Sequence, residues 1–155
     1  MITLKPGDKA PDFNGIADDG TPITISGLIG KKVILYFYPK DNTPGCTAEA
    51  CNLRDNYEIL LNKGFAIVGV SADNEKSHTN FKTKFALPFP LIADTDRQIC
   101  KLYGVWGTKK FMGRSFDGIN RTTFVISEKG LIEAVFTKVN TGDHTRQILD
   151  ELKIK

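Results

Sequence analysis

Two cysteines, Cys46 and Cys51, share the segment Thr43-Pro44-Gly45-Cys46-Thr47-Ala48-Glu49-Ala50-Cys51. The apolar run Val33-Ile34-Leu35-Tyr36-Phe37-Tyr38 precedes it and ends at Pro39. A helix-like pattern follows, with Leu53, Tyr57, Leu60 and Leu61 on one face and Gly64 as the stop. Cys46 is thereby delivered to the first turn of a helix at the carboxyl end of a buried strand. Unpaired backbone N–H groups and the positive end of the helix dipole favour a thiolate there. This layout points to thiol redox chemistry rather than to packing.

The second thiol is out of bonding reach while the helix is intact. Five helical residues turn about 140° and advance about 7.5 Å, which puts the two Cα atoms roughly 8.7 Å apart. A disulfide needs less than about 7 Å and converging Cβ vectors. If Cys46 and Cys51 are a redox pair, the first turns must unwind in each cycle; otherwise Cys51 is an inert residue on a helix flank.

The residues leading into Cys46 suit a small substrate. Pro39 and Pro44 restrict the loop and keep bulk water partly away, and Gly45 lets the backbone approach closely. Thr43 offers a hydroxyl that can donate to a thiolate or accept from a bound hydroperoxide. Cys100 lies inside the apolar helical pattern around Ile99 and Leu102 and reads as a buried filler thiol. His78 and His144 have no partners in sequence and are expected on the surface. Arg121 stands at the mouth of the strand Thr122-Thr123-Phe124-Val125-Ile126. It could hold a thiolate charged and orient a peroxide oxygen, although position alone favours a solvated strand-end cation. Glu49 is expected in the first helical turn, with its link to Arg54 or Arg121 open.

Those side chains need a scaffold, and the chain can supply one. It has 155 residues, 41% of them apolar and 25% charged, in the range of a soluble globular protein. That length fits one domain, taken as residues 1–155. The net charge of +3 is spread out, with no basic block interleaved with aromatics, so nucleic-acid binding is not expected. No apolar run approaches a membrane span, and the start Met1-Ile2-Thr3-Leu4-Lys5-Pro6-Gly7 lacks a signal pattern, which points to the cytoplasm. Three cysteines in such a chain do not form a disulfide framework, and four-ligand zinc spacing is missing.

The element pattern begins with an edge hairpin, Phe13 to Ile16 with Pro22 to Ile25, around Asp18-Asp19-Gly20. Val33 to Tyr38 and Phe65 to Val70 read as strands covered on both faces. Asp73 or Asn74 caps a helix carrying Phe81 and Phe85 and stopping before Pro88. Leu91 to Ala93 is a short strand, and Asp94 opens a short helix through Cys100 to Tyr103. Thr122 to Ser127 and Leu131 to Thr137 form a hairpin around Gly130. A last helix runs from about Asp143, with Ile148, Leu149 and Leu152 facing inward. This order predicts an α/β protein with a central mixed β-sheet, helices on both faces and an N-terminal β-hairpin, which a thioredoxin-like fold fits. In such sheets, sites collect beyond the carboxyl ends of the parallel strands, where Cys46 falls.

Pro39, Thr43 and Cys46 match the P-x-x-x-T-x-x-C signature of the peroxiredoxins. The stretch from Thr43 to Cys51 closely resembles the bacterioferritin-comigratory, or peroxiredoxin Q, branch. Further matches are Gly7-Asp8-Lys9-Ala10-Pro11-Asp12-Phe13, Gly104-Val105-Trp106-Gly107 and Gly118-Ile119-x-Arg121-x-Thr123-Phe124, in family order over nearly the whole chain. The resemblance implies an atypical two-cysteine thiol peroxidase. Cys46 would be peroxidatic and Cys51 resolving, as in some members of the branch, while others lack the second cysteine. Thr43 and Arg121 would complete the peroxide site, with Pro39 and Gly45 lining it. Expected partners are a hydroperoxide and a thioredoxin-like reductant, with no metal, haem or flavin, in a monomer or weak dimer. Two rivals remain: a disulfide oxidoreductase, disfavoured because C-x-x-C is absent, and a redox sensor or holdase, which would need only a single oxidation.

Overall fold

The computed structural model describes residues 2–154; Met1 and Lys155, the end points of the expected domain, lie outside them. Its centre is β3, Lys32–Phe37, whose side chains are buried from Val33 onward. The pleat sends successive side chains to opposite faces. Ile34 and Tyr36 join one apolar cluster, while Val33, Leu35 and Phe37 join the other. A strand covered on both sides needs an unbroken apolar run, which is what this segment supplies. Truncating Leu35 to Ala would cost about 2–5 kcal/mol, since it is wholly enclosed.

Beside β3 lie β4, Phe65–Ser71, in parallel and β8, Thr122–Ile126, antiparallel. Parallel β5, Leu91–Ala93, and antiparallel β9, Ile132–Phe136, complete a mixed sheet in the order β5-β4-β3-β8-β9. The first cluster is closed by α1 (Pro44–Asp55), α2 (Tyr57–Asn62), α3 (Glu75–Phe85) and α5 (His144–Glu151), through Leu53, Leu60, Phe81 and Ile148. The second is closed by α4, Gln98–Leu102, through Ile99 and Cys100, together with the N-terminal segment through Ala10 and Phe13. Helices therefore cover both faces, as the element order implies.

Register decides where the chemistry falls. Phe37 at the end of β3 pairs with Val70 near the end of β4 and with Thr122 at the start of β8. The loop leaving β3 toward Cys46 and the residue entering β8, Arg121, consequently meet at one end of the sheet.

Local chemistry explains most element ends. Asn74 caps α3 by accepting from Ser77 N–H at 2.8 Å, and Asp143 caps α5 by accepting from Arg146 N–H. The Asp94 carboxylate receives the amides of Ile99 and Cys100 at 3.1 and 2.8 Å and so anchors α4. The N-terminal hairpin is shorter than expected: β1 (Gly15–Ile16) and β2 (Pro22–Ile23) pair, and Ala17 bridges to Ile92 at the β5 edge.

The fold departs from the sequence reading at further points. The helix after Cys46 is not continuous to Gly64; it breaks at Asn56, whose side chain donates back to Asn52 C=O at 2.8 Å. Leu61 is exposed rather than inward, about 100° round the helix from the buried Leu60. Between α4 and β8 lies an unpredicted ribbon, β6 (Trp106–Phe111) with β7 (Arg114–Ile119), closed by Met112 and Gly113, both at positive φ. Its charged residues Lys109, Lys110, Arg114 and Asp117 hide the strand pattern, because little of the ribbon is buried. Finally, His78 and His144 are enclosed, not on the surface. Each continues an inward helical stripe: His78 precedes Phe81 and Phe85, and His144 precedes Ile148 by one turn.

Candidate functional site

Thr43 occupies the N-cap position of α1 in extended conformation, Pro44 opens the helix, and the first helical bond is Thr47 N–H to Thr43 C=O at 2.8 Å. Proline suits that first position because its missing N–H would have no helical partner. The amides of Gly45 and Cys46 precede the first helical bond and have no side-chain cap, so a helix start of this kind can receive an oxygen or anion.

The loop ahead of them is pinned from below. Asp41 is buried and accepts from Tyr38 Oη at 2.6 Å and Ser77 Oγ at 2.8 Å. It also meets His78 Nδ1 at 2.7 Å. Burial opposes charge on His78, yet the Asp41 carboxylate beside it raises its pKa above the ordinary histidine value. Asp41 N–H in turn donates to Asp73 Oδ2 at 2.8 Å, tying the loop to the end of β4. Thr43 Oγ1 donates to Lys40 C=O at 2.9 Å. With its proton so committed, the hydroxyl can serve a bound hydroperoxide as an acceptor, while donation to the thiolate is taken up elsewhere.

Cys46 is 1% exposed. Arg121 reaches it across 75 residues of sequence: Nη2 donates to Cys46 Sγ at 3.3 Å, and Nη1 binds Glu49 Oε1 at 2.6 Å. A Cβ on Gly45 would sit 3.2 Å from Arg121 Nη2, so glycine is what lets the guanidinium lie over the helix start. Burial disfavours the charge of Arg121, but the neighbouring Cys46 sulfur and Glu49 carboxyl outweigh it and hold its pKa above the usual arginine value.

Glu49 is not a first-turn acid. Helix α1 begins at Pro44, so Glu49 falls in the second turn, fully buried, and its partner is Arg121; Arg54 instead binds Asp55 and Phe85 C=O. Burial pushes the Glu49 carboxyl up to about 7 against the pull of Arg121. Its Oε2 has no hydrogen-bond partner among the described residues and lies 3.7 Å from His144 Nε2. His144 meets Thr123 Oγ1 at 2.8 Å and Gln147 Oε1 at 2.9 Å, and burial pushes its pKa down to about 4.

The structure thus brings together Cys46, Gly45, Arg121 and Glu49, with Thr43 at the helix entry and Pro39 half-buried in the loop before it. Cys51 is half-buried farther along the unbroken α1, and all three thiols are free. Cys100 is sealed in the opposite cluster. Burial and the Asp94 carboxylate push its thiol pKa far up, which makes it unreactive. The cleft of about 490 Å³ lined by Asp12, Phe13, Glu75 and Asp94 includes neither Cys46 nor Arg121, so the thiol site is distinct from it.

The AhpC/TSA family pattern matches residues 6–135. Peroxiredoxin Bcp of Escherichia coli is 43% identical over 153 residues, covering 99% of this chain and 98% of the relative. Peroxiredoxin Bcp of Bacillus subtilis is 41% identical over 152 residues, covering 98% and 97%. A cysteine-to-serine variant of Xylella fastidiosa PrxQ superposes with a TM-score of 0.91 at 30% identity, over 99% of this chain and 98% of the other. The bacterioferritin comigratory protein of Xanthomonas campestris, studied for alkyl peroxide reduction, superposes with a TM-score of 0.87 at 34% identity, over 94% of each chain. A buried thiol at a helix start under an arginine, full-length relatives and this fold agree: the chain belongs to the AhpC/TSA family, as a peroxiredoxin of the Bcp/PrxQ branch.

Proposed function

We propose that Cys46 is the peroxidatic residue of a thiol peroxidase that reduces hydrogen peroxide and alkyl hydroperoxides. The observation that carries this assignment is the Arg121 Nη2 contact with Cys46 Sγ at 3.3 Å, at a helix start whose first amides are uncapped. The thiolate attacks the nearer oxygen of the hydroperoxide; the S–O bond forms as the O–O bond breaks. Arg121 and the Gly45 and Cys46 amides stabilise the departing oxyanion, which takes a proton to leave as water or alcohol. Cys46 becomes a sulfenic acid.

Cys51 then supplies the second thiol. Its sulfur attacks the sulfenic sulfur, the Cys46–Cys51 bond forms, and water leaves. The disulfide is reduced by thiol–disulfide exchange with a dithiol protein of the thioredoxin type. Pro39 and Gly45 bound the space for the substrate, and the chain works as one domain. No helix among the described residues is long and apolar enough to cross a membrane, so no bilayer-spanning helix enters the reading.

Peroxide consumption coupled to thioredoxin oxidation tests the assignment. Cys46→Ser is expected to abolish it. Cys100→Ser is expected to leave it nearly intact, because a serine hydroxyl can donate to the Asp94 carboxylate as the thiol does. Retained turnover in Cys46→Ser would overturn the assignment.

A further inference from the structure

Beyond the contacts of Arg121 with Cys46 and Glu49, the side chain of Asn52 ties α1 to α5. Its Oδ1 accepts from Thr145 N–H at 2.8 Å, and its Nδ2 lies 3.4 Å from Gly142 C=O and 3.5 Å from Asp143 Oδ1. These partners set the amide orientation, because an N–H needs an acceptor while a carbonyl and a carboxylate need a donor.

Thr145 is the second residue of α5, whose N-cap is Asp143. The first amides of a helix have no helical partner. Asp143 Oδ1 takes the amide of Arg146 at 3.3 Å, and Asn52 takes that of Thr145. One helix therefore caps another across 93 residues of sequence. Thr145 is buried, and its own hydroxyl has no hydrogen-bond partner among the described residues, so its surroundings are short of polar groups that could replace Asn52.

We propose that Asn52 is a positioning residue for the second half of the reaction: by capping α5 from the residue next to Cys51 it holds α1 closed, and its release sets how readily Cys51 reaches Cys46. The inference rests on the peroxidase reading, with Cys51 as the second thiol.

Helical pairing joins each N–H to the C=O four residues before it, so the amide of Asn52 belongs with the carbonyl of Ala48. Cys46 and Cys51 cannot meet until the turns between them unwind. Unwinding residues 46–49 frees the amides of 50–53, and Asn52 loses the helical position from which it reaches α5. Thr145 N–H then passes from Asn52 to water. The tie opposes opening by about the strength of one hydrogen bond to a buried amide, which is about tenfold in the open population. Arg121 also grips the segment, but through the reacting sulfur and its neighbour Glu49. The bonds of Asn52 go to α5 and to Asn56 instead, so it acts on opening and not on the peroxide step.

Opening decides the fate of the sulfenic acid. In the closed helix a second hydroperoxide gives one oxygen to the Cys46 sulfur, leaves as water or alcohol, and makes the sulfinic acid. In the open segment the Cys51 sulfur attacks the Cys46 sulfur, the disulfide forms and water leaves.

Asn52→Val removes both donor and acceptor at nearly equal helix propensity. It is expected to leave oxidation of Cys46 by one peroxide equivalent unchanged and to speed the step from sulfenic acid to disulfide about tenfold. The peroxide concentration that converts half of Cys46 to sulfinic acid during thioredoxin-driven turnover should rise by about the same factor. Arg54→Met is the control: it cuts the bond from Arg54 Nη1 to Phe85 C=O at 2.8 Å, beyond the opened turns. It is expected to lower stability to urea without moving that concentration. In the parent, Thr145 N–H is expected to be protected from exchange in the reduced form and to lose that protection in the Cys46–Cys51 disulfide form, a measurement that stands even if Asn52→Val fails to fold. Equal shifts in the two variants, an unmoved concentration in folded Asn52→Val, or equal protection of Thr145 in the two forms would overturn the proposal and leave the peroxidase reading intact. A parent that forms no Cys46–Cys51 disulfide with peroxide would overturn both.

Discussion

At Arg121, two N–H groups of one planar fork reach a sulfur and a carboxylate together, Nη2 on Cys46 and Nη1 on Glu49. A lysine ammonium, a point charge on a flexible stem, could not hold both directions. Arg121→Ala is expected to lower the thiolate fraction of Cys46 at neutral pH, read by ultraviolet absorbance, and to slow the peroxide step on the order of a hundredfold. Gly45→Ala approaches the same defect from the other side, since its methyl meets Arg121 Nη2 at 3.2 Å and must push it back. Unchanged absorbance and rate in Arg121→Ala would return that residue to an ordinary strand-end cation. None of this was readable from position alone: Arg121 precedes a strand, and nothing local says what stands opposite.

Helix α1 carries both thiols and, in the proposed cycle, must be two things in turn. Reduced, it runs unbroken from Pro44 to Asp55, with Leu53 and Ala50 wholly buried, and keeps Cys46 and Cys51 apart. Oxidised to the disulfide, it has to lose its first turns while the sheet remains. The break at Asn56 limits how far unwinding must spread, because α2 is a separate piece anchored by Leu60. Amide exchange is expected to show loss of protection over 46–53 in the disulfide form, with β3 and β4 unchanged. Equal protection in the two forms, with the disulfide verified by mass spectrometry, would refute the opening. Cys51→Ser is expected to trap the sulfenic acid on Cys46 and to cut thioredoxin-driven turnover sharply.

For the whole molecule, the buried pair sets an unusual pH balance. Glu49 has its folded pKa raised from 4.5 to about 7, so the stability it contributes is complete below 4.5 and is lost as pH rises through 7. His144 has its folded pKa lowered from 6.5 to about 4, so its contribution is complete above 6.5 and is lost as pH falls through 4. Between 4.5 and 6.5 global unfolding releases one proton from Glu49 and takes one up on His144, and the two slopes cancel. His78, raised by Asp41, adds stability below 6.5 that declines above it. Urea denaturation across this window is expected to be nearly flat for the parent. Glu49→Gln should uncover stability that falls with acid, and His144→Phe stability that falls with rising pH, each by up to about 1.4 kcal/mol per pH unit. Parallel pH profiles for all three would remove the pair from the account.

Much was legible from residue order because it depends on local chemistry. The apolar run of β3, the proline that opens α1, the caps of α3 and α5 and the glycine turn before β9 are written in neighbouring residues. So was the placement of Cys46 at a helix start, and its distance from Cys51 follows from helical pitch alone. The ribbon of β6 and β7 was hidden because its exposed, charged faces carry no burial pattern. The polar interior belonged wholly to tertiary structure. Strand register, through Phe37 opposite Thr122, brings Arg121 to Cys46, and packing of α5 on β8 sets His144 against Thr123 and Glu49. A histidine reads as a surface residue when its partners lie far along the chain, because the hydrogen bonds that permit its burial exist only after the elements dock.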